Sequence, residues 1–110
     1  MPKAWRVRLS AAAEDDVRDI LAWTTQQFGQ AQARAYQATL VSAISALTAG
    51  PGVTGARPRH DLASNVFTLH AARAGRRARH VVVFRAQAET IDILRVLRDA
   101  MDLARHIPED

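Results

Sequence analysis

Arginine is the residue type whose number and spacing in this sequence could do chemistry. The 110-residue chain has fifteen lysines and arginines, and all of them except Lys3 are arginine. Seven arginines fall between residues 56 and 85 with Asp61 as the sole acid, so this segment has a net charge of +6. A guanidinium group binds a carboxylate or a phosphate through two parallel hydrogen bonds. The segment therefore predicts a surface that binds another macromolecule through charge.

Five of these arginines are predicted to form one basic patch around a loop and the tip of a β-hairpin. They are Arg57, Arg59, Arg73, Arg76 and Arg77. Such a patch attracts nucleic acid or an acidic segment of a protein partner. Few aromatic residues accompany it, so it lacks the usual stacking platform for single-stranded bases. Solvated charge with no binding role is the alternative interpretation.

The other polar residues show no pattern that fits a metal, a cofactor or a catalytic triad. The four histidines, at positions 60, 70, 80 and 106, lack metal-ligand spacing, and the chain has no cysteine. His70 and His80 could face each other across the predicted hairpin. The acids at positions 14, 15, 16 and 19 are expected to offset the dipole of a helix start. We therefore predict no catalytic residue, no metal site and no cofactor.

Three glycines, Gly50, Gly52 and Gly55, have the spacing of a dinucleotide-binding loop. That motif works only after a strand and at the start of a helix, where backbone N–H groups meet the pyrophosphate. Here the glycines follow a predicted helix and lead into an Arg-Pro-Arg run. We therefore predict an ordinary loop over residues 50–61.

Hydrophobic periodicity predicts the elements that position these side chains. Residues 5–9 alternate apolar and basic, which is typical of a half-buried strand. Ser10 is placed to cap a first helix, and Gly29 is placed to end it. The apolar stripe of this helix is Val17, Ile20, Leu21, Thr24 and Phe28. The stripe of a second helix is Ala33, Tyr36, Leu40, Ile44 and Leu47. Two helices joined so closely are expected to pack as an antiparallel hairpin.

Three strand-like runs follow the loop. They are Val66 to Leu69, Val81 to Arg85 and Ile91 to Leu97. Their short connections predict an antiparallel meander. The order of an N-terminal strand, a helical hairpin and three strands indicates an α+β fold with one sheet, in which the helices cover one face and leave the other partly open. The length fits a single domain over residues 1–110.

The sequence also restricts where the protein is expected to act. No apolar run approaches the roughly 20 residues needed to cross a bilayer, and the N-terminus lacks the layout of a signal peptide. The absence of cysteine excludes disulfides and suits a reducing compartment. We therefore expect a cytoplasmic protein.

Taken in order, the segments resemble a known family of bacterial toxins. They are residues 9–12 (Leu-Ser-Ala-Ala), 16–20, 28–33 with Tyr36, 79–85 (Arg-His-Val-Val-Val-Phe-Arg), 91–97 (Ile-Asp-Ile-Leu-Arg-Val-Leu) and 101–102. In this order and spacing the chain resembles the ParE/RelE superfamily of type II toxin–antitoxin modules, and its ParE branch most. The family often has Phe-Tyr-Arg where this chain has Val83, Phe84 and Arg85, and often a His after the last strand, where Arg98 stands here. These departures concern the target-facing residues more than the fold.

The resemblance implies a toxin that a ParD-like antitoxin silences by wrapping it and covering its open sheet face. ParE members poison DNA gyrase, whereas RelE members cut messenger RNA in the ribosome. RNA cleavage needs a group that moves protons. The only tyrosine, Tyr36, is predicted to be buried, the only lysine is Lys3, and His106 alone could serve. We therefore favour gyrase inhibition. A ribosome-dependent endoribonuclease and a non-toxic basic binding module are the alternatives.

Five residues near the predicted open end of the sheet are candidates for contacting the target or the antitoxin. They are Arg79, Arg85, Arg95, Arg98 and Met101. If the faces of the last two strands coincide, the guanidinium groups of Arg85 and Arg95 converge near one edge. The alternative is that one of these two arginines pairs with a carboxylate such as Asp92 or Asp102.

Overall fold

The computed structural model describes residues 4–73 and 75–107 of the chain. Its elements, in chain order, are β1 (Arg6–Leu9), α1 (Ala11–Phe28), α2 (Gln30–Ala46), β2 (Ala56–Pro58), β3 (Val66–His70), β4 (His80–Gln87) and β5 (Thr90–Arg98). Short 3₁₀ helices follow α2 at Leu47–Ala49 and β5 at Leu103–His106. Lys3 and Ala74, the latter at the predicted hairpin tip, lie outside the described residues.

The strands form one sheet in the order β1-β5-β4-β3-β2. Strand β1 is parallel to β5, and the other pairs are antiparallel. The predicted α+β class and the β3–β4–β5 meander are confirmed. The sheet has a fifth strand, however, because β2 forms within the stretch that was predicted to be only a loop, where Ala56 pairs with Leu69. Pro58 is compatible with this position because β2 is an edge strand.

The two helices begin and end at residues with specific capping roles. The Ser10 hydroxyl oxygen accepts a hydrogen bond from the Ala13 N–H at 3.0 Å, and its O–H donates to the Leu94 carbonyl at 2.9 Å, so the cap also ties α1 to β5. Gly29 ends α1 with a φ of +92°, a conformation that favours glycine. Phe28 is 66% exposed, so its assignment to the buried stripe is wrong. Within the described residues, neither helix combines the length and the apolar content needed to span a membrane.

The main core lies between the helices and the sheet. Leu40 and Leu47 pack there against Phe84, Ile91 and Ile93, and all five are at most 1% exposed. Full burial of side chains this large contributes about 1.5–3 kcal/mol each relative to exposure. This core fixes α1 and α2 on one face of the sheet and thereby determines which strand ends lie beside α1.

The loop after α2 is shaped by a close contact with the N-terminal residues. Gly50 has a φ of +93°, and a Cβ at this position would lie 2.6 Å from the Trp5 ring nitrogen. The backbone N–H of Trp5 also donates a hydrogen bond to the Thr48 carbonyl at 2.9 Å. The first glycine of the apparent dinucleotide motif therefore has a packing role.

The second face of the sheet has a smaller apolar cluster of its own. Val66, Val81, Val83 and Leu97 are buried there together with Ile107. Further apolar residues that pack against this cluster are Leu62, Ala63, Leu94 and Leu103. The prediction of a partly open second face is therefore wrong for its centre, because the segment before β3 and the segment after β5 cover it.

Candidate functional site

A groove of about 350 Å³ lies between α1 and the adjoining ends of β4 and β5. We call it the α1–β5 groove. Ile20, Trp23 and Met101 line it with apolar surface, and the side chains of Arg79 and Arg98 also line it. Trp23 is 53% exposed and Met101 is 39% exposed. Exposed apolar side chains beside a concave surface are typical of sites that bind a partner.

Arg95 lies in the same groove but is held by an ion pair. Its Nε and Nη2 atoms donate to the two carboxylate oxygens of Asp16 on α1 at 2.7 and 2.8 Å, and its Nη1 donates to the His106 carbonyl at 3.3 Å. Asp16 also accepts from the Val96 N–H at 2.9 Å. The hydrogen bond with Asp16 raises the pKa of Arg95. Arg95 therefore joins α1 to β5, and its carboxylate partner is Asp16 rather than Asp92 or Asp102.

Arg79 and Arg98 are the cations of this groove that remain exposed. Among residues 4–73 and 75–107, neither guanidinium group has a salt bridge to a carboxylate. Their neighbour Asp99 instead accepts a hydrogen bond from the His70 ring at 2.9 Å. Two arginine side chains beside an apolar groove can thus bind carboxylates or phosphates of an incoming molecule.

A tyrosine–histidine pair supports the wall of the groove. The Tyr36 hydroxyl oxygen accepts from the Arg79 backbone N–H at 3.1 Å and lies 2.6 Å from His80 Nδ1. We assign the Tyr36 O–H as the donor to Nδ1, which gives the hydroxyl proton an acceptor and places the His80 proton on Nε2. Burial lowers the pKa of His80, and the positive charge of Arg98 lowers it further. Burial also raises the pKa of Tyr36, so both groups are neutral near pH 7.

This pair was not predicted from the sequence. Helical periodicity predicts only that Tyr36 is buried, and His80 was expected only as a cross-strand neighbour of His70. The two histidines instead have different partners, since His70 is paired with Val81 in the β3–β4 register. The spacing of Tyr36 and Leu40 could have indicated the pair, because residues four apart share one face of a helix and this face packs on the sheet. The hydroxyl of a tyrosine in such a position needs a polar partner.

Arg85 is a predicted site residue that the structure does not bring to the α1–β5 groove. The register places it opposite Asp92 on β5 and opposite Val66 on β3, toward the other end of β4. The predicted convergence of Arg85 with Arg95 therefore does not form this groove, because the Arg95 side chain is bound to Asp16. Arg79, Arg95, Arg98 and Met101 all line it.

A second groove, of about 540 Å³, lies beside β2 and β3, and we call it the distal groove. Three arginines of the predicted basic patch line it, Arg57, Arg59 and Arg73. Arg59 is bound to Asp61 at 2.9 and 2.8 Å, and this bond lowers the pKa of Asp61. The Arg73 Nε atom is buried, with no hydrogen-bond partner among the described residues. The structure thus brings together three members of the patch.

The two remaining arginines of the patch lie on the hairpin between β3 and β4. Arg76 reaches the helical side, where its Nη1 donates to the Thr39 hydroxyl of α2 at 3.3 Å. Arg77 is exposed. The hairpin therefore presents cations toward both sides of the sheet.

His70 and Asp99 form a polar pair at the edge of the distal groove. The Ala72 N–H donates to His70 Nδ1 at 3.0 Å, so the ring proton is on Nε2 and is donated to Asp99. This hydrogen bond lowers the pKa of Asp99. Within the described ranges, no group of three or more His, Asp and Glu residues is arranged to hold a metal ion.

Comparison with known proteins identifies the relatives of this chain. Residues 7–103 match the family model described as the ParE toxin of the type II toxin–antitoxin system parDE. The chain is 34% identical over 102 residues to the protein "Toxin ParE" of Escherichia coli, covering 92% of this chain and 91% of that protein.

Two solved toxin–antitoxin systems share the fold. The chromosomal ParDE system of P. aeruginosa contains a chain that matches with a TM-score of 0.72 and 21% identity, covering 88% of this chain and 98% of that one. The RelBE2 toxin–antitoxin complex of Mycobacterium tuberculosis matches with a TM-score of 0.59 and 19% identity, covering 86% and 98%.

Proposed function

The chain belongs to the ParE toxin family of type II toxin–antitoxin systems, and we propose that it arrests growth by inhibiting DNA gyrase and is silenced by a ParD-like antitoxin. The observation that carries the proposal is the α1–β5 groove, in which apolar surface lies beside Arg79 and Arg98. In this proposal gyrase and the antitoxin bind the same groove. The antitoxin silences the toxin because the two partners exclude each other.

The composition of the groove defines the antitoxin segment that fits it. Trp23 and Met101 offer apolar surface that would be removed from water on binding, which favours an apolar anchor residue. Arg79 and Arg98 favour a carboxylate within reach of that anchor. An acidic, amphipathic segment that orders on binding meets both requirements. This location replaces the second sheet face, whose centre is already covered by the chain's own apolar residues.

The polar groups of the groove support gyrase inhibition over cleavage of messenger RNA. A general base must have a free lone pair near the proton that it removes. His80 Nδ1 is occupied by the Tyr36 O–H, and its Nε2 carries the ring proton, so neither nitrogen is free to accept. His106, the base candidate from the sequence, lines a different groove with Arg105 and Leu94. A toxin that acts by binding needs no such base.

Expression of the chain in a bacterial host without an antitoxin tests the proposal. Gyrase inhibition produces filamentous cells with an induced DNA-damage response. A rapid halt of translation with cleaved messages would instead show the endoribonuclease, and harmless accumulation of folded protein would show a non-toxic binding module.

Paired variants test whether the groove carries the effect. The double variant Arg79→Ala/Arg98→Ala should lose growth arrest and antitoxin binding together. The matched control is Arg6→Ala/Arg34→Ala, which removes the same charge from exposed positions outside the groove. Full toxicity from a folded Arg79→Ala/Arg98→Ala variant would contradict the proposal.

A further inference from the structure

The distal groove differs from the α1–β5 groove in the partner that it can bind. Its lining includes Arg57, Arg59 and Arg73, with Thr68 and His70 as further polar groups. None of the large exposed apolar residues of the described chain lines it, since these are Trp23, Phe28, Val41 and Met101. The larger apolar side chains in its lining are Val81, which is buried, and Leu103, which is partly buried. A protein segment bound there would therefore meet no large exposed apolar side chain, and protein interfaces depend on such anchors.

The charge of the distal groove favours a polyanion. Asp99 is the one carboxylate in its lining, and it is bound to His70. Asp61, nearby in sequence, is bound by Arg59. Within residues 4–73 and 75–107, Arg57, Arg73 and Arg77 have no salt bridge to a carboxylate. In the lining of the distal groove, the guanidinium groups of Arg57 and Arg73 are thus left to bind anionic oxygens.

Arg73 has a buried hydrogen-bond donor without a described partner, in addition to its charge. Its Nε atom is buried in the wall of the groove and donates to no described acceptor. A buried donor without a partner costs about 1–3 kcal/mol. An anionic oxygen that enters the groove could accept from this atom and remove the cost.

We infer that the distal groove, with Arg57 and Arg73, binds the phosphate backbone of double-stranded DNA. A duplex is recognised mainly through phosphate contacts by arginine and lysine, without apolar anchors. A single strand is disfavoured because it requires aromatic side chains for base stacking. The described lining of this groove contains no Phe, Tyr or Trp, and the ring of His70 is held by Asp99 and the Ala72 N–H. The inference goes beyond gyrase inhibition, because it assigns to the toxin a contact of its own with DNA.

The test measures binding of the purified full chain to a fluorescein-labelled 30-base-pair DNA duplex of mixed sequence, by anisotropy at several salt concentrations. The logarithm of the association constant should fall linearly with the logarithm of the salt concentration, with a slope of about −0.9 for each phosphate contacted. The variant Arg57→Ala/Arg73→Ala should make the slope less steep by about 1.8 units and weaken binding about tenfold or more. Arg57→Ala alone should make the slope less steep by about 0.9 units.

The matched control is Arg6→Ala/Arg34→Ala, which removes two exposed arginines at β1 and α2. It should bind the duplex nearly as tightly as the unaltered chain. Equal losses in the two double variants would show non-specific charge attraction and would overturn the inference. The inference would also be overturned if the unaltered chain showed no salt-dependent binding. It would be overturned as well if a labelled poly-glutamate peptide or a single-stranded DNA bound more tightly than the duplex. The binding assay contains no gyrase, so a negative result would overturn the inference about DNA without bearing on gyrase inhibition.

Discussion

The α1–β5 groove and the distal groove are both lined by arginines, but they are held together by different contacts. In the α1–β5 groove, Asp16 binds Arg95 across 79 positions of the chain, and Tyr36 binds His80 across 44. In the distal groove, Arg59 binds Asp61 two positions away, on an exposed surface. The fixed arginine of the α1–β5 groove is thus held by a long-range ion pair between a helix and a strand, and the fixed arginine of the distal groove by a local one.

This difference shows that the role of an arginine follows from its neighbours rather than from its place in a motif. Arg95 and Arg98 are three residues apart on β5, yet Arg95 is fixed by Asp16 while Arg98 is exposed. We therefore expect substitutions among the fixed groups of the α1–β5 groove to reduce stability. We expect substitutions in the distal groove to change binding while leaving stability intact.

Removal of Asp16 should have the largest effect on stability. The variant Asp16→Ala leaves the partly buried Arg95 without its carboxylate and the Val96 N–H without its acceptor. We expect the free energy of unfolding, measured by urea denaturation, to fall by about 3 kcal/mol. The matched control is Asp19→Ala, which removes an exposed carboxylate of the same helix and the same groove. If both variants lost the same stability, the assigned role of Asp16 would be wrong.

The tyrosine hydroxyl should contribute less. The variant Tyr36→Phe keeps the ring against His80 but removes the hydrogen bonds to His80 Nδ1 and from the Arg79 N–H. We expect the free energy of unfolding to fall by about 1 kcal/mol. Antitoxin binding should weaken as well, because this hydroxyl positions the backbone of Arg79. Unchanged stability with unchanged binding would show that the pair does not support the groove.

A smaller effect is expected when His80 becomes protonated. Burial lowers its folded-state pKa below the ordinary value of 6.5, so the unfolded chain takes up the proton first as the pH falls. Stability should therefore be constant above pH 6.5 and should fall below it. The groups that face His80 are Tyr36, Arg98, Asp99, His70 and Asp16. Urea midpoints between about pH 5 and pH 8 measure this slope, and the variant His80→Gln should reduce it. If the slope of stability against pH were unchanged in His80→Gln, another titrating group would be its cause.

The smallest effect on stability is expected in the distal groove. The variant Asp61→Asn breaks the ion pair with Arg59, and the Asp61 side chain is exposed to solvent. Surface ion pairs of this kind contribute little, so the urea midpoint at pH 7 should stay within experimental error. Binding of the DNA duplex should tighten, because Arg59 is then available to a phosphate. A clear loss of stability would contradict the distinction drawn between the two grooves.

Much of the fold could be predicted from the sequence because its signals are local. The period of apolar residues predicted both helices, and short links between apolar runs predicted the β3–β4–β5 meander. Strand β2 was missed because three residues that include Pro58 have no alternation to detect. The cover on the second sheet face was missed because it depends on where the segment with Leu103 and Ile107 folds back, which no local pattern specifies.

The candidate site was predictable in its residue types but only partly in its contacts. Arg79, Arg98 and Met101 were singled out by the family resemblance and lie together in the α1–β5 groove. The ion pair of Asp16 with Arg95 was not predicted. An acid at a helix start is already expected to offset the helix dipole, so its position gave no reason to look for a second role. Whether these residues contact gyrase or the antitoxin stays a prediction.

Inhibition of purified gyrase tests the central claim most directly. The unaltered chain should block negative supercoiling of relaxed plasmid DNA by gyrase. The Arg79→Ala/Arg98→Ala variant should require at least about tenfold more protein for the same inhibition, which corresponds to about 1.4 kcal/mol. The control Arg6→Ala/Arg34→Ala should match the unaltered chain. Equal inhibition by a folded Arg79→Ala/Arg98→Ala variant, or no inhibition by the unaltered chain, would contradict the account.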